Sequence, residues 1–250
     1  MMFEALATDY DGTLAHHGIV DEATIAGLQR ARAGGVRLIM VTGRELSSLF
    51  NTFAHATLFD RIVAENGAVL YDPGTEAVEV LSPPPPPALL TKLTDARVPI
   101  SVGHSIVATV EPHHHEVLQA IHDLALEWHV IFNKGAVMAL PADVTKASGL
   151  APALQALGIP CSRTIAVGDA ENDQAFFRAC GLAVAVANAL PSVKEAAHLV
   201  TANPRGAGVV ELIDRLIAGE FADLLARDHR DSRSFKFNPN HPIGGCSDPN

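Results

Sequence analysis

Aromatic residues make up only 5% of this 250-residue chain, against 48% hydrophobic residues overall, so its core must be packed mainly by Ala, Val and Leu. That length and composition suit an α/β protein with one catalytic domain plus an insert. Cysteine is nearly absent: Cys161, Cys180 and Cys246 show neither metal-ligand spacing nor an even-numbered disulfide framework, which points to a reducing, cytoplasmic setting. No apolar run approaches the ~20 residues of a membrane span, and Glu4 and Asp9 spoil a signal-peptide reading of the start, so no membrane partner is expected. Positive charge is also scarce. Lys and Arg number 18 against 28 Asp and Glu, and a net charge of −10 argues against nucleic acid, which is held by clustered cations. A small phosphorylated substrate stays open, because local site charge decides its binding.

What is present begins with Asp9-Tyr10-Asp11-Gly12-Thr13-Leu14. The preceding Phe3–Thr8 stretch reads as a short buried strand of a parallel sheet, which places Asp9 at the carboxyl edge where ligands of open α/β sheets collect. A carboxylate there can attack phosphorus if a cation screens the repulsion, while a second acid protonates the leaving oxygen. Gly12 lets the backbone turn sharply enough to aim amides at a phosphate. The plainer alternative is a strand followed by an Asp-Gly turn.

Three further segments carry residues suited to the same task. Val36–Val41 ends in Thr42-Gly43-Arg44, Thr164–Val167 ends in Gly168-Asp169-Ala170-Glu171-Asn172-Asp173, and Lys146 stands before a helical stretch that runs to Leu157 and stops at Gly158. Thr42 would hydrogen-bond a phosphate oxygen, Lys146 would neutralise charge at the phosphate and the nucleophile, and Asp169 would complete an oxygen-rich cation site. Each has a bland counterpart: a strand-to-helix turn, a solvated lysine, an acidic helix cap. Coincidence of all four is much less expected than any one alone.

The order Asp-x-Asp-Gly-Thr, Thr-Gly-Arg, Lys, Gly-Asp-x-x-Asn-Asp resembles the haloacid dehalogenase (HAD) superfamily, specifically its Cof-like type IIB phosphatases, from about Ala5 to Leu212. Glu65-Asn66-Gly67-Ala68, Asn188-Ala189 with Val193-Lys194, and Gly206-Ala207-Gly208-Val209 fit the same pattern. The resemblance implies a Rossmann-like parallel-sheet core with a small α+β type IIB cap. It implies Asp9 as nucleophile, Asp11 as general acid/base, and Thr42 and Lys146 as phosphate binders, with Gly43 and Arg44 beside them. It also implies Mg2+ held by Asp9, the Asp11 backbone carbonyl and Asp169, supported by Asn172 and Asp173. Ala147 stands where a glycine often follows the lysine, and Phe176 where methionine is usual; neither touches the implied chemistry.

Period switches along the chain predict its organisation. A capped helix is expected from Asp21 to Gly34, with Ile25 and Leu28 on one face, and another from Arg44 to about Ala54. Arg61–Glu65 and Ala68–Tyr71 read as strands joined by a two-residue Asn66-Gly67 hairpin turn. Residues 1–81 and 142–220 form the expected core and 82–141 the inserted cap, entered through the stiff Pro83–Pro87 spacer. Within the cap the reading is helix Ala88–Ala96, strands Ile100–Val102 and Ile106–Val110, helix His114–Trp128, and strands Val130–Asn133 and Ala136–Leu140. Leu182–Ala187 and Leu199–Thr201 would finish the core sheet. His113-His114-His115 reads as an exposed polar turn, since consecutive side chains diverge and cannot easily share one ion, and Trp128 and Phe132 read as cap-core residues. The tail, residues 221–250, is charged and then rich in Asn, Pro, Gly and Ser, so disorder is its simplest account, with the start of a second module as the rival.

The function expected from these features is magnesium-dependent hydrolysis of a small phosphomonoester, of sugar phosphate or phosphoglycolate type, through an aspartyl-phosphate. A phosphomutase or phosphotransferase using the same intermediate is the alternative, and a catalytically silent binding protein a third. A nucleophile and a proton donor together count against the last.

Overall fold

The computed structural model describes residues 3–221. Its first part runs β1 (Ala5–Thr8), α1 (Glu22–Ala33), β2 (Arg37–Val41), α2 (Leu46–Thr52), β3 (Arg61–Ala64), β4 (Val69–Asp72) and β5 (Ala77–Val80). An insert follows with α3 (Pro87–Asp95), β6 (Ser101–Val102), β7 (Val107–Val110), α4 (His114–Asp123), β8 (Trp128–Asn133) and β9 (Ala136–Pro141). The chain then closes with α5 (Lys146–Leu157), β10 (Thr164–Gly168), α6 (Gln174–Ala179), β11 (Leu182–Ala185), α7 (Pro191–Ala196), β12 (Leu199–Val200) and α8 (Arg205–Ile217).

An eight-stranded sheet has the order β12-β11-β10-β1-β2-β3-β4-β5, parallel from β12 to β3 and antiparallel at β4 and β5. This is an α/β, Rossmann-like core. Every residue of β1 is buried because sheet neighbours flank it and helices cover both faces, which explains its unbroken apolar run. The parallel register pairs Thr8 with both Val167 and Met40, so the residues that follow these strands emerge side by side. Local chemistry fixes the helices. Asp21 accepts from the Thr24 amide at 2.7 Å to start α1, while Ile25, Leu28 and Ala31 face the core. Thr145 and Ser148 form a reciprocal capping box at the start of α5, and Gly158 ends it in the left-handed conformation at φ 68°.

The insert forms a separate four-stranded antiparallel sheet, β6-β7-β9-β8. Helices α3 and α4 cover one face around a small apolar cluster that includes Leu89, Leu93, Val117, Ile121 and Val137. Ile106, Met138 and Leu140 instead join the main core, which seats the insert on the large sheet. Among the described residues, no helix is long and apolar enough to cross a membrane.

The structure corrects several readings. Helix α2 begins at Leu46 and not at Arg44, since Glu45 is its extended N-cap. The β3–β4 connection is a buried four-residue loop: Ala64 pairs with Val69, and Glu65, Asn66 and Gly67 all adopt positive φ. Their side chains and backbone have partners that no solvent-exposed hairpin would supply. Helix α4 stops at Asp123 because Ala125 turns to φ 49°, and Trp128 opens β8. Trp128 packs at the margin of the insert cluster, as expected, but Phe132 is 52% exposed and meets the His114 ring edge-on. Strand β5 was not anticipated; all four of its residues are exposed at the sheet edge. Pro83–Pro86 precede α3 without regular structure, and Pro87 becomes its first residue, where a missing N–H costs nothing. The tail lies outside the described residues beyond Phe221.

Candidate active site

Asp9 follows β1, Thr42 follows β2, Asp169 follows β10 and Lys146 opens α5, so strand register and one helix cap bring four distant sequence positions to one edge. Asp9, Lys146, Asp169 and Asp173 are each at most 5% exposed. Lys146 Nζ donates to Asp9 Oδ1 and Asp173 Oδ1, both at 2.5 Å. The other Asp173 oxygen accepts from the backbone amides of Asp169 and Ala170 at 2.8 and 2.9 Å. Asp173 is therefore fully engaged as a support. Asp9 is not: its Oδ2 is buried without a hydrogen-bond partner. An orphan carboxylate oxygen costs free energy and persists where a ligand satisfies it.

Carboxyl groups of Asp9, Asp169 and Asp173 approach within 4.8 Å of one another, which makes them the compact metal-capable grouping among the described residues. With Asp173 occupied by Lys146 and two amides, Asp9 and Asp169 are the members of this grouping with carboxylate oxygens to offer a cation. That all-oxygen set suits Mg2+. Burial pushes the Asp9 carboxyl up to about 6, against the pull of Lys146. Burial likewise raises Asp169, with the Asp9 charge adding to it. For Lys146 burial acts downward, but Asp173 and Asp9 outweigh it and hold the proton firmly. Acids crowded in this way are relieved by a cation.

The remaining residues predicted for the site also converge on it. Thr42 Oγ1 accepts from the Arg44 amide at 3.1 Å and keeps its own hydrogen to donate. Gly43 leaves room for Asn66, whose amide would sit 3.0 Å from a Cβ there. Asn172 donates to Asn66 Oδ1 at 2.9 Å. Arg44 is turned onto Asp11, with Nε and Nη2 at 2.5 and 2.8 Å from the two carboxyl oxygens, and it lies over the Tyr10 ring. The His113–His115 run lies apart from this site: His114 pairs with Glu111 at 2.5 Å and His115 is exposed.

Lys134 was not singled out from the sequence, and Glu65 and Asn188 were read only as parts of the family pattern, without roles of their own. Lys134, at the β8–β9 turn of the insert, reaches Asp11 O at 2.5 Å and Asp169 Oδ2 at 3.1 Å. Gly12, at φ 92°, makes this approach possible, because a Cβ there would collide with Lys134 Nζ and the Asp169 carboxyl. Asn188 clamps the same turn by donating to Gly12 O at 2.9 Å. Glu65, fully buried, accepts from the His104 and Ser105 amides at 2.9 Å and ties the insert to the core. The unusual Glu-Asn-Gly loop was a visible signal for Glu65; nothing local marked Lys134. A cavity of about 330 Å3 opens beside Asp9, Asp11 and Arg44, and its far wall is the insert.

The sequence model of the haloacid dehalogenase-like hydrolase family matches residues 6–102 and 107–213. Phosphoglycolate phosphatase 2 of Saccharolobus solfataricus is 30% identical over 221 residues, covering 86% of this chain and 93% of its own. A phosphoglycolate phosphatase of Methanothermobacter thermautotrophicus is 31% identical over 227 residues, covering 85% and 98%. A HAD subclass IIB sugar phosphatase superposes with a TM-score of 0.71 at 21% identity, covering 85% of this chain and 98% of that one. The fold, the edge on which the acids gather and a match spanning most of the sequence agree, and the chain belongs to the haloacid dehalogenase-like hydrolases.

Proposed function

We propose that this chain is a Mg2+-dependent phosphatase that hydrolyses a small phosphomonoester, of phosphoglycolate or sugar phosphate type, through a phosphorylated Asp9. The observation that carries the reading is the free Oδ2 of Asp9, buried beside Lys146 and facing a cavity that also holds Asp11. Asp9 Oδ2 attacks phosphorus and the bond to the ester oxygen breaks. Lys146 and the Thr42 hydroxyl hold the phosphoryl oxygens as negative charge builds on them. Asp11, released from Arg44, gives a proton to the departing oxygen. In the second half Asp11 takes a proton from water, which attacks the aspartyl-phosphate and regenerates Asp9. A divalent ion held by Asp9, the Asp11 carbonyl and Asp169 would screen the repulsion between carboxylate and phosphate. Asp173 and Asn172 position this set without contacting the substrate.

In this reading the segment 82–141 acts as a cap that excludes water and selects the leaving group. The relatives named as phosphoglycolate phosphatases support a compact substrate. The test is phosphate release from a panel containing phosphoglycolate, hexose 6-phosphates and p-nitrophenyl phosphate, with Mg2+ and with a chelator, while products are followed for transfer to an organic hydroxyl. Phosphate release that depends on Mg2+ is expected. Full turnover in chelator would overturn the metal assignment, and phosphoryl transfer without phosphate release would replace the phosphatase by a phosphotransferase.

A further inference from the structure

The insert contributes Ile106, Ala108, Asn133, Lys134, Ala136 and Met138 to the wall of the catalytic cavity, and of these only Lys134 is charged. It is held there by a tight device. Asn133 pairs with Ala136, so Lys134 and Gly135 form a two-residue turn, and both have positive φ, 52° and 86°. Such turns match the twist of the strands that they join and give a rigid hairpin tip. The ammonium thus projects from a stiff support onto the catalytic edge, 2.5 Å from Asp11 O and 3.1 Å from Asp169 Oδ2, with its side chain 52% exposed.

Those two oxygens are the ones that the proposed function gives to the divalent ion. An ion of charge two takes them in preference to a single ammonium, and Lys134 is then left over the cavity on a flexible stem with three donors to place. Arg44, the other cation lining this cavity, belongs to the core and in the resting site is turned onto both oxygens of Asp11. The rest of the insert's wall is apolar apart from Asn133, which suits a short leaving group with one anionic end better than a ring of hydroxyls.

Resting on the phosphatase reading, we propose that Lys134 is the specificity-determining residue of this enzyme: it pairs with a carboxylate on the leaving group of a compact phosphorylated hydroxy acid. The pair would be a charge-assisted hydrogen bond in a partly water-excluded site.

The test compares Lys134→Met and Lys134→Arg with the wild type in the presence of Mg2+. Calorimetry would use two non-hydrolysable probes of one length, 3-phosphonopropionate, which carries the carboxylate, and propylphosphonate, which does not. Steady-state kinetics would use phosphoglycolate and ethyl phosphate. In Lys134→Met, affinity for 3-phosphonopropionate should fall on the order of 10- to 100-fold more than affinity for propylphosphonate, the worth of one hydrogen bond to a charged group. The kcat/KM values for the two esters should diverge by the same ratio, and Lys134→Arg should recover most of it. Equal losses on both members of each pair, or no loss on either, would overturn the role. If the wild type binds neither phosphonate and releases phosphate from neither ester, the role of Lys134 is overturned; the phosphatase reading falls with it only if hexose 6-phosphates and p-nitrophenyl phosphate also release none.

Discussion

At the carboxyl edge of the large sheet, Lys146 is buried to 2% exposure and locked between Asp9 and Asp173 at 2.5 Å, whereas Lys134 of the insert comes to the neighbouring Asp169 and Asp11 carbonyl half exposed, from the tip of a hairpin. The two lysines stand near one cluster yet are held by different physics. Lys146 is fixed by a helix cap, a packed core and complete pairing, so it can supply charge at an unvarying position. Lys134 is carried by a second sheet with its own small core, joined to the first through contacts such as Glu65 with the His104 and Ser105 amides. Groups that do not move suit bond-making, and a group on a separable support suits recognition.

Breaking the buried member of this pair should have the larger effect. Lys146→Met leaves Asp9 and Asp173 facing each other without a cation, which should cost about 3–5 kcal/mol. Thermal unfolding should fall by roughly 10 °C for a chain of this size, with phosphate release lost. A variant that melts close to the wild type would show that the pairing is not what holds this edge.

Asp11→Asn should lower turnover of alkyl phosphates by about 10²–10⁴-fold, the usual worth of a positioned proton donor. In single turnover, which separates departure of the leaving group from the shared hydrolysis of the aspartyl-phosphate, the loss on p-nitrophenyl phosphate should be smaller, since nitrophenolate leaves without protonation. Equal losses on both in that first step would remove Asp11 as the proton donor.

The smallest effect concerns the joint between the two regions. Glu65→Gln puts an amide donor against a backbone donor of His104 or Ser105 in a buried setting, costing about 1–3 kcal/mol locally. Hydrogen exchange should accelerate across β6 and β7, with KM rising a few-fold and kcat changing less. Unchanged exchange there would mean that Glu65 does not fasten the insert.

The catalytic edge was legible because each of its residues ends a short apolar run or opens a capped helix, and a parallel sheet turns such ends into neighbours. Asp9, Thr42, Lys146 and Asp169 converge for that reason, and Asp21, Gly34 and Gly158 delimit α1 and α5 as read. The insert's order of helices and strands was legible too, from alternation and turn residues. Where reading failed, residues other than glycine take positive φ: Glu65 and Asn66 beside Gly67, and Ala125 after α4. Arg44 was read as helical and as a phosphate contact, but its pairing with Asp11 depends on a tertiary approach. Lys134 shows the limit most clearly. Its partner Asp11 lies 123 residues away, and a lysine in a hairpin turn carries no local mark of what it will touch.

Asp9 must carry the phosphoryl group during turnover, and an acid quench would capture it there. With phosphoglycolate and Mg2+, peptide mass spectrometry of the quenched enzyme should find one phosphate on the segment containing Asp9, labile to hydroxylamine and absent from Asp9→Asn. Steady phosphate release with no adduct on Asp9 under rapid quench, or undiminished turnover by a folded Asp9→Asn variant, would contradict the assignment.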